Sequence, residues 1–575
     1  MQTESTLMED DPQRGILCVQ WIFRGAFALF ALIDCWLTRF AIGPDGVSYL
    51  DMGDQYWRGN WHAALNAYWS PLYSWLTGLM FRLTKPTMRW EYPEVHFMNF
   101  AIFMAALFSF EFFWRVLLES RMGDIWTGAS RRYAWILAYS MFGIFYFGCE
   151  FQEFLGIDSL ASVRPDLLVA ALGYLAFGLV LRFSAGRLGV GSSCLIGVTL
   201  GVAYLTKAVM FPFGLVVMAT LFAVCWKRRG GWLKAGAALI CFLAISTPFI
   251  ALLSWNNHHL TFGDPGKANI AWNVNGGWPR LIHWQGAGIE PKHPEHPTRK
   301  IVNWPEVYEF ATPVAGTYPV WYDPTYWWAG ADSKLHLGRE FVHVAQNLGN
   351  FGLYLILAPG VLTAVVLMIF LLSDNFNDSW RQLARFLPIL APSFALLLAY
   401  SMIVWWPRYL SWVMLSGFGC LIASVSISAE AHRVRVLRAA GLTLGAILIG
   451  VVLLNLKNNL LQRGASLQNV QVAEQLRTMG VEPGSRVAVI GDALRQEEYW
   501  ARLDRVEIVA EVPRTLETGD SEAAFWSSGL EVEQTVLNAL KSTGASAAVA
   551  DTPPKVLPPG WVAVGKTGRA VYFFR

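Results

Sequence analysis

Five charged side chains stand at the edges of long apolar runs, where a charge is costly and needs a reason to be present. Asp45 lies in 43-GPDGVSYLDMGDQYWRG-59, and Arg164 and Asp166 open 163-VRPDLLVAALGYLAFGLVLRF-183. Lys207 interrupts 196-IGVTLGVAYLTKAVMFPFGLV-216, and Arg408, followed by Tyr409, sits in 404-VWWPRYLSWVML-415. A carboxylate at a membrane surface can act as a general base and take the proton of an attacking hydroxyl. Cations at span ends can hold an anion such as a lipid phosphate, Arg through a bidentate fork and Lys as a point charge. Each residue also has a plainer reading. Asp45 and Asp166 fit helix N-caps, a role that for Asp45 is compatible with catalysis because a carboxylate has two oxygens. Lys207 and Arg408 could snorkel to lipid headgroups. Asp51 and Asp54, three apart, share a helix face and read as the wet side of an interfacial helix. Glu150, Glu153 and Asp158 crowd the loop before Arg164, and the residues alone do not rank them.

The elements that must hold these residues follow from composition. The chain of 575 residues is 54% hydrophobic and 15% charged, well below the roughly 25% charge of soluble domains. It reads as a polytopic α-helical membrane protein. Its net charge of +3 gives no reason to expect nucleic acid as a partner. Apolar runs long enough to span fall near 16–40, 93–118, 133–150, 166–184, 189–206, 208–226, 232–254, 350–373, 386–405, 408–428 and 439–456, about eleven in all. With the N-terminus inside, five basic clusters fall on the cytoplasmic side: Arg115 to Arg132, Arg182 with Arg187, Lys227 to Lys234, Arg381 with Arg385, and His432 to Arg438. That places Asp45, Asp166, Lys207 and Arg408 together at the outer face. The acidic N-terminus lacks a basic n-region, so the first run is expected to be a retained helix. The segment 71-PLYSWLTGLMFRLTK-85 is short for a span and reads as an interfacial helix.

Two regions complete the outline: a membrane domain over 1–456, with outer loops at 41–92 and 255–349, and a small periplasmic α/β domain over 457–575. The latter reads as helix 467–480, strand 486–492, helix 495–503, strand 506–512, helix 531–544 and short strands at 546–551 and 570–575. VAVIGD has one glycine where a dinucleotide fingerprint needs three. The 255–349 loop carries Trp255, Trp272, Trp278, Trp284, Trp304, Trp321, Trp327 and Trp328, which suit sugar stacking and interface anchoring equally. It also carries seven histidines, among them the adjacent His258 and His259, without a strong zinc spacing. Seven cysteines lie in or beside apolar runs and read as packing thiols. There is no Walker loop, HExxH or Ser-His-Asp order. No cofactor is called for, and a divalent metal stays open.

Taken together, GPDGVSYL, SPLYSWL, RPDLL, GVTLGVAYLTK and PRYL, in this order and topology, resemble the GT-C superfamily of polytopic glycosyltransferases. The resemblance covers about residues 15–430 and is nearest the branch of bacterial protein O-mannosyltransferases, lipid A aminoarabinose transferases and rhizobial lipopolysaccharide sugar transferases. It implies a sugar moved from a polyprenyl-phosphate donor to a periplasmic or outer-leaflet glycolipid or protein acceptor, with inversion. It also implies Asp45 as the base, and Asp166, Arg164, Lys207, Arg408 and Tyr409 as substrate-binding residues. The expected location is the bacterial inner membrane. One position departs: the aminoarabinose transferases place a lysine before the Pro-rich motif, whereas Ser70 precedes Pro71 here. A transporter of lipid-linked saccharides is the alternative. It would put its charges at mid-bilayer and often show related halves, neither of which the sequence displays.

Overall fold

A computed structural model of the chain describes residues 12–120, 128–148, 160–275, 298–310, 316–327, 333–357, 359–514 and 520–574. Glu150, Glu153, Asp158, Trp278, Trp284, Trp328, His283, His293 and His296 lie outside the described residues. The apolar runs are helical, and the molecule is a polytopic α-helical membrane protein. Among the described residues five helices are long and apolar enough to cross a bilayer: 13–37, Met88–Glu119, Asp166–Ser184, Gly231–Asn256 and Glu430–Thr478. Two further candidates are bent pairs, Leu337–Leu357 with Gly360–Leu371 at 85° and Phe376–Ala384 with Leu387–Ser401 at 73°. Val190–Thr206 and Met210–Cys225 are shorter apolar helices packed among them. Large side chains such as Trp21, Leu29, Ile240, Leu367 and Phe394 are exposed on these helices. Exposed apolar surface on that scale is what a lipid-facing wall presents.

Proline sets where three of the outer helices begin. Pro44, Pro71 and Pro407 each occupy the first helical position of Pro44–Trp57, Pro71–Thr84 and Pro407–Ser424, where a missing N–H costs nothing. The first two helices lie against each other closely enough that Gly53 has no room for a side chain: a Cβ there would stand 2.8 Å from the Ser74 carbonyl.

The C-terminal α/β region departs from expectation in two ways. The helix expected at 467–480 is not separate: one helix of 49 residues, Glu430–Thr478, runs from the membrane into it. At 1.5 Å per residue that is about 74 Å of continuous rod. The stretch between the two expected helices contains only the single Gly464, too weak a breaker to interrupt a helix. The second departure is in the sheet. Its seven strands are β1 (Thr298–Asn303), β2 (Glu306–Phe310), β3 (Arg486–Gly491), β4 (Glu507–Pro513), β5 (Ala547–Ala550), β6 (Trp561–Ala563) and β7 (Ala570–Phe573), in the order β1-β2-β4-β3-β5-β7-β6. β3 runs parallel to β4 and β5, and the other pairings are antiparallel. Two of the seven strands thus come from the 255–349 outer loop, not from the C-terminal segment. Alternation along β3 divides the core in two. Val487 and Val489 join the large core shared with the membrane helices and with Leu476 of the long rod, while Ala488 and Ile490 face Val536 and Leu540 of helix Leu530–Ser542.

Candidate active site

The first turns of three helices and the end of a fourth converge at one corner. Asp45 is the second residue of Pro44–Trp57, Asp166 the first of Asp166–Ser184, and Arg408 and Tyr409 follow Pro407. Lys207 ends Val190–Thr206 in an extended conformation, φ −156° and ψ 127°, which turns the chain out of the helix. The capping expected of the two aspartates is not realised. Gly43 and Pro165 hold the cap positions, and both carboxylates are committed to side chains from elsewhere. Asp45 Oδ2 lies 3.3 Å from Arg164 Nε, and its Oδ1 accepts from Trp321 Nε1 at 3.2 Å. The buried Asp166 accepts a very short hydrogen bond from Lys207 Nζ and lies 3.5 Å from Arg408 Nε. The snorkelling expected of Lys207 and Arg408 does not occur either, because both turn inward to this carboxylate. Tyr409 closes the group: Lys207 Nζ sits 3.5 Å from its ring centroid, and Arg408 Nη2 donates to its hydroxyl at 3.3 Å. Cation–π contact holds the ammonium against the ring without neutralising it.

The two halves meet at Arg164, which pairs with Asp45 and also acts electrostatically on Asp166. All six residues singled out in the sequence therefore form one cluster. Its formal charge is two carboxylates against three cations, a surplus of one positive charge in a site partly removed from water. Beside it stands an aromatic wall. Tyr68 and Trp272 have ring centroids 5.6 Å apart, and Trp272 stacks on Trp321 at 6.2 Å and 22°. Among the described tryptophans of the 255–349 loop, Trp321 meets the charged cluster through its hydrogen bond to Asp45, and Trp272 stacks behind it. Sequence alone spread that role evenly over all eight. Among the described residues no group of three or more His, Cys, Asp and Glu is placed to hold a metal ion.

Sequence reasoning missed what holds the Asp45 helix in place. Asp51 and Asp54 are not its wet side. Asp51 is 5% exposed, and Arg502, from helix Glu498–Asp504 of the α/β region, reaches down to both carboxylates. Its Nη1 lies 2.6 Å from Asp51 Oδ1 and 2.8 Å from Asp54 Oδ2, while its Nε donates to Glu91 Oε1 at 2.8 Å. Arg505 adds a 2.5 Å bond to Glu91 and a very short one to Asp54. Burial alone would push Asp54 up, but Arg502 and Arg505 together hold it below the usual carboxylate range. Glu498 lies close by, buried and pushed well above that range by burial, and then by Asp51 and Asp45. Asp51 also accepts from the Thr317 N–H at 2.7 Å, and Thr317 in turn accepts from the Ile508 N–H of β4. Trp321 is four residues further along the same segment.

The overall fold is similar to that of a solved structure of low sequence identity. The likeness is to ArnT from Cupriavidus metallidurans. Its apo structure matches at a TM-score of 0.50 with 13% identity, over 96% of this chain and 98% of that one. The same protein bound to undecaprenyl phosphate matches at 0.50 with 12% identity, over 96% and 97%. An oligosaccharyltransferase from Archaeoglobus fulgidus aligns at a TM-score of 0.44 with 12% identity, over 91% of this chain and 67% of that one. No protein-family model and no curated protein sequence matches the chain.

Proposed function

We propose that the chain is an integral-membrane glycosyltransferase that moves a sugar from a polyprenyl-phosphate donor to a hydroxyl on a glycolipid or protein at the outer face of the bacterial inner membrane. The reading rests above all on one observation: three cations, Arg164, Lys207 and Arg408, converge with Asp45 and Asp166 in one corner. A phosphate entering there would meet an Arg fork and an ammonium already oriented by Asp166 and Tyr409. The ArnT structure holding undecaprenyl phosphate is in keeping with a lipid phosphate as that anion.

In this reading the donor sugar lies against Tyr68, Trp272 and Trp321, where aromatic faces suit the C–H faces of a sugar ring. The acceptor hydroxyl attacks the anomeric carbon from the side opposite the phosphate. As the new C–O bond forms, the anomeric C–O(phosphate) bond breaks and its electron pair stays on the phosphate oxygen. Lys207 and Arg408 stabilise that developing charge in a site where water competes weakly. Asp45 receives the hydroxyl proton, and configuration at the anomeric carbon inverts. The N-terminus is then cytoplasmic and the α/β region periplasmic. The test is sugar transfer by purified protein in detergent with a polyprenyl-phosphate sugar as donor. Asp45→Asn, folded as judged by its thermal unfolding midpoint, is expected to lose about 10²–10⁴ in kcat. Full activity in that variant would remove Asp45 as the base.

A further inference from the structure

Helix Glu498–Asp504 brings a further acid to the Asp45 side of the arginine clamp. Glu498 and Arg502 share one face of this helix, a turn apart, and Arg505 caps its end. Arg505 meets Asp54, and Arg502 meets both Asp54 and Asp51. Falling residue number along this face therefore runs toward the start of Pro44–Trp57, and Glu498 is the next position in that direction. Asp45 and Asp51 both act on it electrostatically, and Asp45 and Arg164 act on Tyr499 beside it. Glu498 is 1% exposed, and its Oε1 has no hydrogen-bond partner. Glu497 is buried as deeply, yet both its oxygens are engaged, by Trp500 Nε1 at 2.6 Å and by Arg569 Nε at 2.8 Å. Arg502 cannot neutralise Glu498, because its Nε and Nη1 are committed to Glu91, Asp51 and Asp54. A buried carboxyl without a partner costs stability, and such groups gather where protons are moved. The other groups acting on Glu498 are Tyr92 of Met88–Glu119, Tyr318, and Asp492 just after β3. Asp492 is only half-buried, with Oδ1 accepting from the Arg495 N–H, so it reaches water.

We infer that Glu498 is a proton relay: it draws the acceptor's proton away from Asp45 and passes one on to Asp492 at the surface of the α/β region. It acts through Asp45, not on the substrate. In the reaction proposed above, donor and acceptor occupy the open side of Asp45, so a route behind it lets the proton leave before the products do. Asp45 gives its proton to Glu498 through hydrogen-bonded water, Glu498 gives one to Asp492, and Asp492 gives one to solvent. Each carboxyl ends in the protonation state in which it began, and one proton leaves for each sugar transferred. Only O–H bonds form and break along the route. The inference rests on Asp45 being the base, and it gives the α/β region a part in turnover beyond holding the Asp45 helix.

The test compares the first turnover with the steady state in the full-length protein in detergent, with a polyprenyl-phosphate sugar as donor. Glu498→Gln keeps the size of the side chain, and Glu498→Asp serves as the conservative control that keeps the carboxyl. In Glu498→Gln the first sugar should be transferred at the rate of the unaltered protein, because Asp45 is intact. Its steady-state kcat should fall by about 10²-fold with KM unchanged, the scale of a lost proton transfer. Added formate, a small carboxylate, should restore part of the steady-state rate, and Glu498→Asp should retain more of it. Equal slowing of first turnover and steady state would mark a structural role and overturn the proposal, as would full steady-state activity in Glu498→Gln. A second measurement is independent of sugar transfer. Infrared difference spectra can follow the Glu498 carboxyl, identified as the band that Glu498→Gln removes. In Asp45→Asn that carboxyl should ionise at lower pH, since a neighbouring negative charge is gone. An unchanged titration would overturn the relay. If the unaltered protein transfers no sugar, the glycosyltransferase reading fails, and the infrared titration still decides whether Asp45 and Glu498 are coupled.

Discussion

Asp166 sets the electrostatics of the corner, since Lys207 and Arg408 both meet its buried carboxylate. Asp166→Asn takes that negative charge from between the two cations, and the folded state is expected to lose about 1–3 kcal/mol. A bound phosphate would take the carboxylate's place. Saturating undecaprenyl phosphate should therefore raise the thermal midpoint of Asp166→Asn by more than it raises that of the unaltered protein, a linkage effect read by melting each with and without lipid. An equal rise in both would mean that the two cations do not meet the phosphate. At this scale the sequence was informative about which residues matter, because a charge at the edge of an apolar run stands out against its surroundings. It was uninformative about their partners. Capping and snorkelling are local readings, whereas Arg164 and Trp321 reach Asp45, and Lys207 and Arg408 reach Asp166, from other parts of the chain.

Helices are held to one another here by buried charge as much as by apolar packing. Arg502, 2% exposed, joins the helix carrying Asp45 to the span Met88–Glu119 and to the α/β region. Breaking a buried ion network by removing one partner typically costs about 3–5 kcal/mol, because the charges left behind stay buried. Arg502→Met should show a loss of that order in unfolding, with sugar transfer falling as the Asp45 helix loosens. Arg505→Gln should cost less than about 1 kcal/mol, since Arg505 is partly solvated. Comparable losses in the two would contradict the geometry. The apolar runs and the alternation of the C-terminal strands were legible because each repeats over a few residues. Arg502 sits in 495-RQEEYWARL-503, which by itself reads as an ordinary polar helix. Its partners lie more than 400 residues earlier, and no local period records such a contact.

For the molecule as a whole, the sheet ties outer loop and α/β region into one body. β1, TRKIVN, and β2, EVYEF, carry no period-2 alternation that would mark them as strands, and nothing local says that β2 will pair with β4. The body also has a pH dependence. Burial, followed by Asp492, pushes Glu511 of β4 up to about 8 from an ordinary 4.5, and Glu522 rises to about 7, again chiefly through burial. Between the unfolded and folded values the folded chain holds protons that the unfolded chain has released. The stability this contributes is full at the acid end of that window and is lost as pH rises through it. The unfolding midpoint should thus fall as pH rises from about 5 to about 8, and less steeply in Glu511→Gln. Parallel slopes would assign the effect to other groups.

The pairing of β2 with β4 also fixes an order of events during synthesis. Glu309 is registered with Ala510, so the hairpin waits while about 200 more residues are made, roughly 10–40 s at common elongation rates. Over that interval one strand edge is open, and Asp51, Asp54 and Glu91 stand without the two arginines that will cover them. The charged corner is encoded in the first three quarters of the chain. Its scaffold is completed only by the last quarter, so a nascent chain cut short before residue 502 would carry all six site residues without the clamp that holds the Asp45 helix in place.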